Sequence, residues 1–489
     1  VKGGVNGESR LYIDGELTQA ASGATYDNIN PATEAVLGQV ADAGEADARR
    51  AIAAARNAFD TTDWSTNHEA RLAHLRRFAA AIAAAVEDTF RPQLVAEAGQ
   101  PLAVTHGPGC DEPVKHLEWV LDTVENFAWH RELPSVVAQG INSRRQVWHE
   151  AAGVVAAITP WNFPLQTNLA KVFPALAAGN TVVLKPAPDT PWTATALGRI
   201  AAEIGLPNGV FNVLTAADPA AVGEVLCTDP RVDMVTFTGS TAVGKRIAAN
   251  AAETVKKVFL ELGGKSALIL LDDANFDLGL LYALGVCYHA GQGCAITTRL
   301  LVHRSRYREA VEKLTPIFKG MGYGDPTDAR FIMGPVINRR QYEKILQMIR
   351  RGVEEGATLA AGGSAAPDMP RGYFIQPTLF TDVTNDMSIA QQEIFGPVMV
   401  MIPFEDDDDA VRIANDSIYG LSGAIHSADT ARAMAMARRI RSGTVSINGA
   451  GYFGADAPFG GYKQSGVGRE MGLEGLMEYM EVKTIGFPA

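Results

Sequence analysis

The run His289-Ala290-Gly291-Gln292-Gly293-Cys294-Ala295 sets a cysteine among glycines. Glycine leaves room for another molecule to approach closely, so Cys294 reads as a thiol held out to react. The plainer reading of a cysteine is a small buried hydrophobe, which suits Cys227 and Cys287 in their apolar helical surroundings. A thiol with a pKa of about 8.5 in isolation turns nucleophilic where local dipoles lower that value. In Ile158–Pro164, ITPWNFP, two prolines restrict the backbone around Asn162. Its amide either satisfies the local turn or donates to a developing oxyanion. In Leu260–Ser266, LELGGKS, Glu261 is either an exposed strand end or, if buried, a base with a raised pKa.

A fourth signal lies in Val235–Arg246, VTFTGSTAVGKR, where a strand, a turn and a helix start follow one another. Gly239, Gly244 and Lys245 nearly spell a P-loop, but Arg246 stands where the Mg²⁺-binding hydroxyl belongs. Free N–H groups at a helix start, with Ser240 as an extra donor, suit a pyrophosphate. A plain strand–helix turn explains the same residues equally well. The 9 histidines are scattered without HExxH, and no cysteine pair forms CxxC, so no metal site is expected. The acidic run EDDDDA at 405–410 precedes a helical pattern, where negative charge is favourable.

The elements that must position these residues are legible in the periodicity. EADARRAIAAARNAF and EARLAHLRRFAAAIAAAVEDTF place apolar residues at helical spacing. From Gly153 the texture changes to short β-branched runs alternating with helices: GVVAAITP, NTVVLKP, GVFNVL, DMVTFTGS and KVFLELGG. A second series restarts after Lys265 with SALILLDD, RLLVHRS, PVMVMIPF, GLSGAIHS and GTVSING. Both series predict mostly parallel sheets covered by helices, two α/β units meeting near Glu261–Lys265. INSRRQVWHEAAG and the tail EYMEVKTIGF are strand-like but lie outside that rhythm.

The totals agree. A chain of 489 residues implies two or three domains, and 47% hydrophobic with 20% charged residues is a globular balance. A net charge of -12 argues against nucleic acid or an anionic membrane as a partner. Four cysteines without pairing motifs, no secretory signal and no membrane-length apolar run lead to the expectation of a soluble, cytoplasmic protein.

The motifs TPWNFP, KPAPDTP, FTGSTAVG, LELGGK, GQGCAITTR, QEIFGPV, NDSIYGLSGAI, SINGA and PFGGYKQSGVGRE, in that order, resemble the aldehyde dehydrogenase superfamily over essentially the whole chain. The resemblance implies two Rossmann-like open-sheet domains and a small β oligomerisation arm. It places the dinucleotide-binding domain at 1–130 and 152–261, the catalytic domain at 262–464, and the arm at 131–151 and 465–489. It makes Cys294 the nucleophile, Asn162 and the Cys294 N–H the oxyanion hole, and Glu261 the base that activates water. Lys171 and Glu470 match positions around the active site and its proton path. Ser240 and the nearby helix start would meet the pyrophosphate, with Gly239 in the turn, Lys185 the adenosine ribose, Glu393 and Phe395 the nicotinamide side, and Thr159 and Trp161 lining the same cleft. Phe163 and Phe459 would wall the aldehyde tunnel.

One departure bears on the cofactor. Many NAD-preferring relatives carry a glutamate where KPAPDTP has Pro188. Proline cannot accept the ribose hydroxyls, and it removes a carboxylate that would repel a 2′-phosphate. NAD is the expected cofactor, with NADP as the alternative that Pro188 opens. The other partners expected are a small aldehyde and further copies of the chain in a homodimer or homotetramer. The expected reaction is aldehyde oxidation to an acid through a thiohemiacetal and a thioester. Its alternatives are a CoA-acylating dehydrogenase, which Glu261 disfavours, a cysteine esterase, and a non-catalytic protein on the same scaffold.

Overall fold

The computed structural model describes residues 5–489. Two helices open the chain's helical layer. In Glu45–Thr61 the buried residues include Ala48, Ala51, Ile52, Ala55 and Ala58, a stripe at three- and four-residue spacing. His68–Ala84 buries Leu75, Phe78 and Ile82 and is capped by Asn67, whose side chain accepts the Ala70 N–H.

The first large sheet has eight strands. Its parallel centre runs Lys257–Glu261, Met234–Thr238, Val154–Ile158, Thr181–Lys185 and Phe211–Val213 in spatial order. Antiparallel strands finish both edges: Gly466–Val467 beside Lys257–Glu261, and Leu11–Ile13 with Glu16–Thr18 beside Phe211–Val213. Val154–Ile158 is buried along its whole length because both faces are covered. Val155 and Ala157 join one apolar cluster, while Val154, Ala156 and Ile158 join another, as the two-residue period of a strand requires. The chain leaves Val154–Ile158 toward Thr181–Lys185 on one side, and Met234–Thr238 lies on the other. Strand order therefore reverses there, and a crevice opens beyond the carboxyl ends.

Leu262–Lys265 carries the chain directly into a second, seven-stranded sheet. Its order is Thr358–Ala361, Thr378–Thr381, Val398–Phe404, Thr297–His303, Ser266–Leu270, Gly423–His426 and Ser446–Ile447. All neighbours are parallel except the first pair. The short link sets the carboxyl ends of the first sheet against the amino ends of the second. Cys294 lies just before Thr297–His303, and Glu393 with Phe395 just before Val398–Phe404.

The two segments outside the βα rhythm form a separate sheet. Met480–Pro488 pairs antiparallel with Ile141–Ala151, which pairs antiparallel with His130–Ala138. Val137, Ile141, Trp148 and Val482 are exposed on it. The intervening tail is built into the body: besides the edge strand Gly466–Val467, the helix Gly472–Glu478 packs on Pro164–Ala177. The two open α/β sheets and the small β sheet are the architecture the motifs implied.

Candidate active site

Between the two sheets lies a cavity of about 810 Å³. Thr159, Trp161, Asn162, Phe163, Lys185, Pro188, Gly239, Ser240, Glu261, Cys294, Glu393, Phe395, Phe459 and Glu470 all line it. Lys171 alone of the sequence-derived set stands behind the wall, tied to it by an ion pair. Residues from opposite ends of the chain thus converge because the first sheet's carboxyl ends and the second sheet's amino ends share one crevice.

The nucleophile loop departs from regular helix. His289, Ala290 and Gly291 take φ of 49°, 53° and 71° in succession. For the two side-chain-bearing residues this costs about 1–2 kcal/mol each, so the fold must hold the loop firmly. At Gly291 a Cβ would sit 2.2 Å from the Gly396 carbonyl oxygen, which leaves glycine no substitute. The buried Gln292 supplies the hold. Its amide donates to the carbonyls of His289 and Pro335, both at 3.1 Å, and its Oε1 accepts the Ile337 N–H at 2.9 Å.

Asn162 faces this loop, placed by the turn between Val154–Ile158 and the helix Pro164–Ala177. Its Nδ2 donates to the Gln292 carbonyl at 2.8 Å, and its own carbonyl meets His289 Nε2 at 2.8 Å. An amide has two N–H groups, so one remains for a ligand oxygen. Cys294 is half-buried beside it. Burial, then the nearby Glu261, Glu393 and Glu470, push the thiol well above its ordinary value. The sequence reading looked to local dipoles to lower it; desolvation and three carboxylates win instead.

Glu261 ends the strand Lys257–Glu261 and is only 1% exposed, with no hydrogen-bond partner for either carboxylate oxygen. Burial first, and Glu470 second, raise its pKa well above 4.5, while Lys171 and Arg469 pull the other way. A buried carboxylate whose pKa is raised is a stronger base than an exposed one and so better able to take a proton from water. Behind it, Lys171 Nζ pairs with Glu470 Oε1 at 2.9 Å, both side chains buried. The ammonium also sits 4.5 Å from the Phe259 ring centroid. Glu470 is pinned in turn by two backbone hydrogen bonds with Phe459, each 2.7 Å.

The other half of the cleft suits a dinucleotide. Ser240 caps the helix Thr241–Ala252, whose start opens on the cavity and offers its N–H groups to a phosphate. Thr238 Oγ1 is buried on the same wall without a partner, as expected of a group waiting for a ligand. Burial lowers Lys185 to about 8, and its Nζ donates to the Pro186 carbonyl at 3.2 Å. Thr159 is committed to Asn168 at 2.6 Å. Glu393 accepts the Gly264 N–H at 2.9 Å, and burial raises its pKa. Trp161 and Phe395 meet edge-on with centroids 5.4 Å apart. Asp189, next to Pro188, accepts from Asn338 at 2.9 Å. Arg246, Arg340 and Lys344 also line the cavity.

On the aldehyde side the walls are aromatic. Phe163, Tyr288, Tyr452, Phe453 and Phe459 line the same cavity as Cys294, as does Glu112. Sequence reasoning missed Thr238, His289, Gln292, Tyr288, Tyr452 and Glu112. Thr238, His289 and Gln292 stood inside motifs already singled out, but nothing local showed where their side chains would reach. Among the described residues no group of three or more His, Cys, Asp or Glu is placed to hold a metal. No helix among them is long and apolar enough to cross a membrane.

Known proteins resemble this chain along nearly its whole length. Residues 17–485 match the aldehyde dehydrogenase family. The chain is 41% identical over 480 residues to a 3-succinoylsemialdehyde-pyridine dehydrogenase of Pseudomonas sp, covering 97% of this chain and 98% of that one. It is 40% identical to aldehyde dehydrogenase 1 of Tanacetum cinerariifolium, covering 98% and 95%. Its fold superposes on a crystal structure of Staphylococcus aureus betaine aldehyde dehydrogenase in complex with NAD+, with a TM-score of 0.95 and 37% identity over 98% of this chain and 95% of that one. This chain belongs to the aldehyde dehydrogenase family.

Proposed function

We propose that the cleft oxidises an aldehyde to the carboxylic acid with NAD as hydride acceptor, and that Cys294, Asn162 and Glu261 carry the chemistry. The supporting observation is their convergence on one cavity that also receives the start of Thr241–Ala252. Cys294 Sγ bonds to the aldehyde carbon as its thiol proton leaves, and the oxygen gains charge beneath the free Asn162 N–H. NAD, when bound, supplies the hydride acceptor that turns this adduct into a thioester on Cys294. Glu261 then takes a proton from the water that adds to the thioester carbon, and release of the acid returns the thiol. Glu470 and Lys171 hold charge beside Glu261 and give its proton a way out. Lys185, Ser240, Glu393 and Phe395 bind the dinucleotide, with Thr159, Trp161 and Gly239 shaping the cleft. Phe163 and Phe459 guide the aldehyde.

NADP is a second reading, favoured by Pro188, by the engagement of Asp189 with Asn338, and by the cations Arg246, Arg340 and Lys344 on the wall. We assign 1–130 and 152–261 to dinucleotide binding and 262–464 to catalysis. The three-stranded sheet, built from 131–151 and the Met480–Pro488 end of the 465–489 tail, is assigned to pairing with further copies; its exposed Val137, Ile141 and Val482 support this. Four free cysteines suit a reducing compartment such as the cytoplasm. The test is absorbance of the reduced nicotinamide with an aliphatic and aromatic aldehyde panel, NAD and NADP supplied separately. Aldehyde-dependent reduction that disappears in Cys294→Ala supports the reading; reduction that persists in that variant overturns it. Acid formed without CoA excludes the CoA-acylating alternative.

A further inference from the structure

His289 is used by nothing in the mechanism above, yet it sits at the junction of the two loops that matter most. We propose that His289 is a positioning residue for the oxyanion hole: it pins the Asn162 backbone to the nucleophile loop and so fixes the amide over Cys294. The inference rests on the reading of Asn162 and Cys294 as oxyanion donor and nucleophile.

His289 is fully buried, and its Nε2 lies 2.8 Å from the Asn162 carbonyl oxygen. A carbonyl only accepts, so Nε2 carries the proton. Burial lowers the imidazole to about 4, which leaves the ring neutral and Nδ1 bare. Nδ1 has no partner, so the burial of this ring costs a desolvated acceptor that a plain core residue would avoid. The ring meets Phe163 edge-on at 5.3 Å, 69° between planes, which fixes its rotation.

The connection is reciprocal. His289 holds the Asn162 backbone, and the Asn162 amide donates to the Gln292 carbonyl three residues further along the same loop. The His289 N–H donates to the Ile332 carbonyl at 2.9 Å, and the Gln292 side chain reaches Pro335 and Ile337. The loop is thereby anchored to the segment 332–337, and Asn162 is anchored to the loop. His289 itself has a left-handed backbone, φ 49°, a conformation that the loop's other anchors must hold. Removing the Nε2 donor frees the Asn162 carbonyl and loosens the amide that must meet a transient oxygen. Misplacement of a catalytic group by about 1 Å costs on the order of a hundredfold in rate. The intrinsic reactivity of Cys294 toward an alkylating agent needs no oxyanion donor and should be spared.

The experiment measures two rates on the purified full chain with saturating NAD. One is the single-turnover rate of nicotinamide reduction with an aldehyde that the panel shows to be oxidised. The other is alkylation of Cys294 by iodoacetamide. The variants are His289→Phe, which keeps ring volume without a donor, His289→Ala, and His289→Asn, which keeps an N–H donor and tolerates positive φ. Asn162→Ala is the reference. Expected is a loss of about 10- to 100-fold in reduction for His289→Phe and His289→Ala. Alkylation stays within about threefold of the parent, and His289→Asn recovers most of the reduction rate. If one of the donor-less variants does not fold, the other decides. Reduction that stays near the parent rate in a folded donor-less variant while Asn162→Ala is slow overturns this inference alone. Alkylation falling in step with reduction also overturns it, since that marks a collapsed loop. Unchanged reduction in Asn162→Ala sinks the oxyanion reading itself.

Discussion

Glu261→Gln separates the two half-reactions that this cleft is proposed to perform. Gln keeps the shape of the side chain but cannot take a proton from water. Glu261 is 1% exposed and neither oxygen has a partner, and burial disfavours its charged form, so the neutral amide should fit with little loss of stability. A general base contributes about 10²- to 10⁴-fold, or roughly 2.7–5.4 kcal/mol of barrier. That loss should fall on thioester hydrolysis alone. Glu261 is also one of the carboxylates holding the Cys294 thiol up, so its removal lowers the thiol pKa and does not hinder attack. A stopped-flow trace with aldehyde and NAD should show a burst of about one reduced nicotinamide per active site, then a steady state slower by that factor. Disappearance of the burst along with the steady state would refute the assignment, because Glu261 would then be needed to activate the thiol. A steady-state rate near the parent's would refute it as well.

Three further outcomes follow from the same geometry. Turnover should rise with pH from the mildly acid side, because Glu261 acts deprotonated, its pKa is raised, and Cys294 must also shed a proton; a pH–rate profile that rises toward acid would contradict this. Lys171→Met leaves Glu470 buried without its partner, which should cost about 3–5 kcal/mol in urea unfolding. It should also move the acid limb of that profile to higher pH, since Lys171 holds the Glu261 pKa down. Pro188→Glu should cut kcat/KM for NADP relative to NAD by at least about tenfold, through repulsion of the 2′-phosphate; an unchanged ratio would remove Pro188 from cofactor choice.

The fold was legible because its signals are local. Fully buried strands such as VVAAI and TVVLK read as parallel core strands, and the Ala-rich helices show their stripes directly. INSRRQVWHEA and the tail broke the rhythm because they pair with each other across more than three hundred residues. Cys294 stood out through the glycines around it, whereas Asn162 was marked out by the family resemblance, its prolines alone reading as a plain turn. The supports were not. His289 and Gln292 reach Asn162 across sequence separations of 127 and 130, and Lys171 reaches Glu470 across 299. No local pattern announces such contacts, nor a left-handed histidine followed by a left-handed alanine. The thiol's raised pKa was misjudged for the same reason, since three carboxylates approach it from distant segments.

The most direct test of the central claim is mass spectrometry of Glu261→Gln quenched with acid during turnover of an aldehyde and NAD. The account predicts that the peptide carrying Cys294 gains the mass of the acyl group as a thioester, and that hydroxylamine removes it. An unmodified Cys294 during active nicotinamide reduction, or the acyl group on another residue, would contradict it.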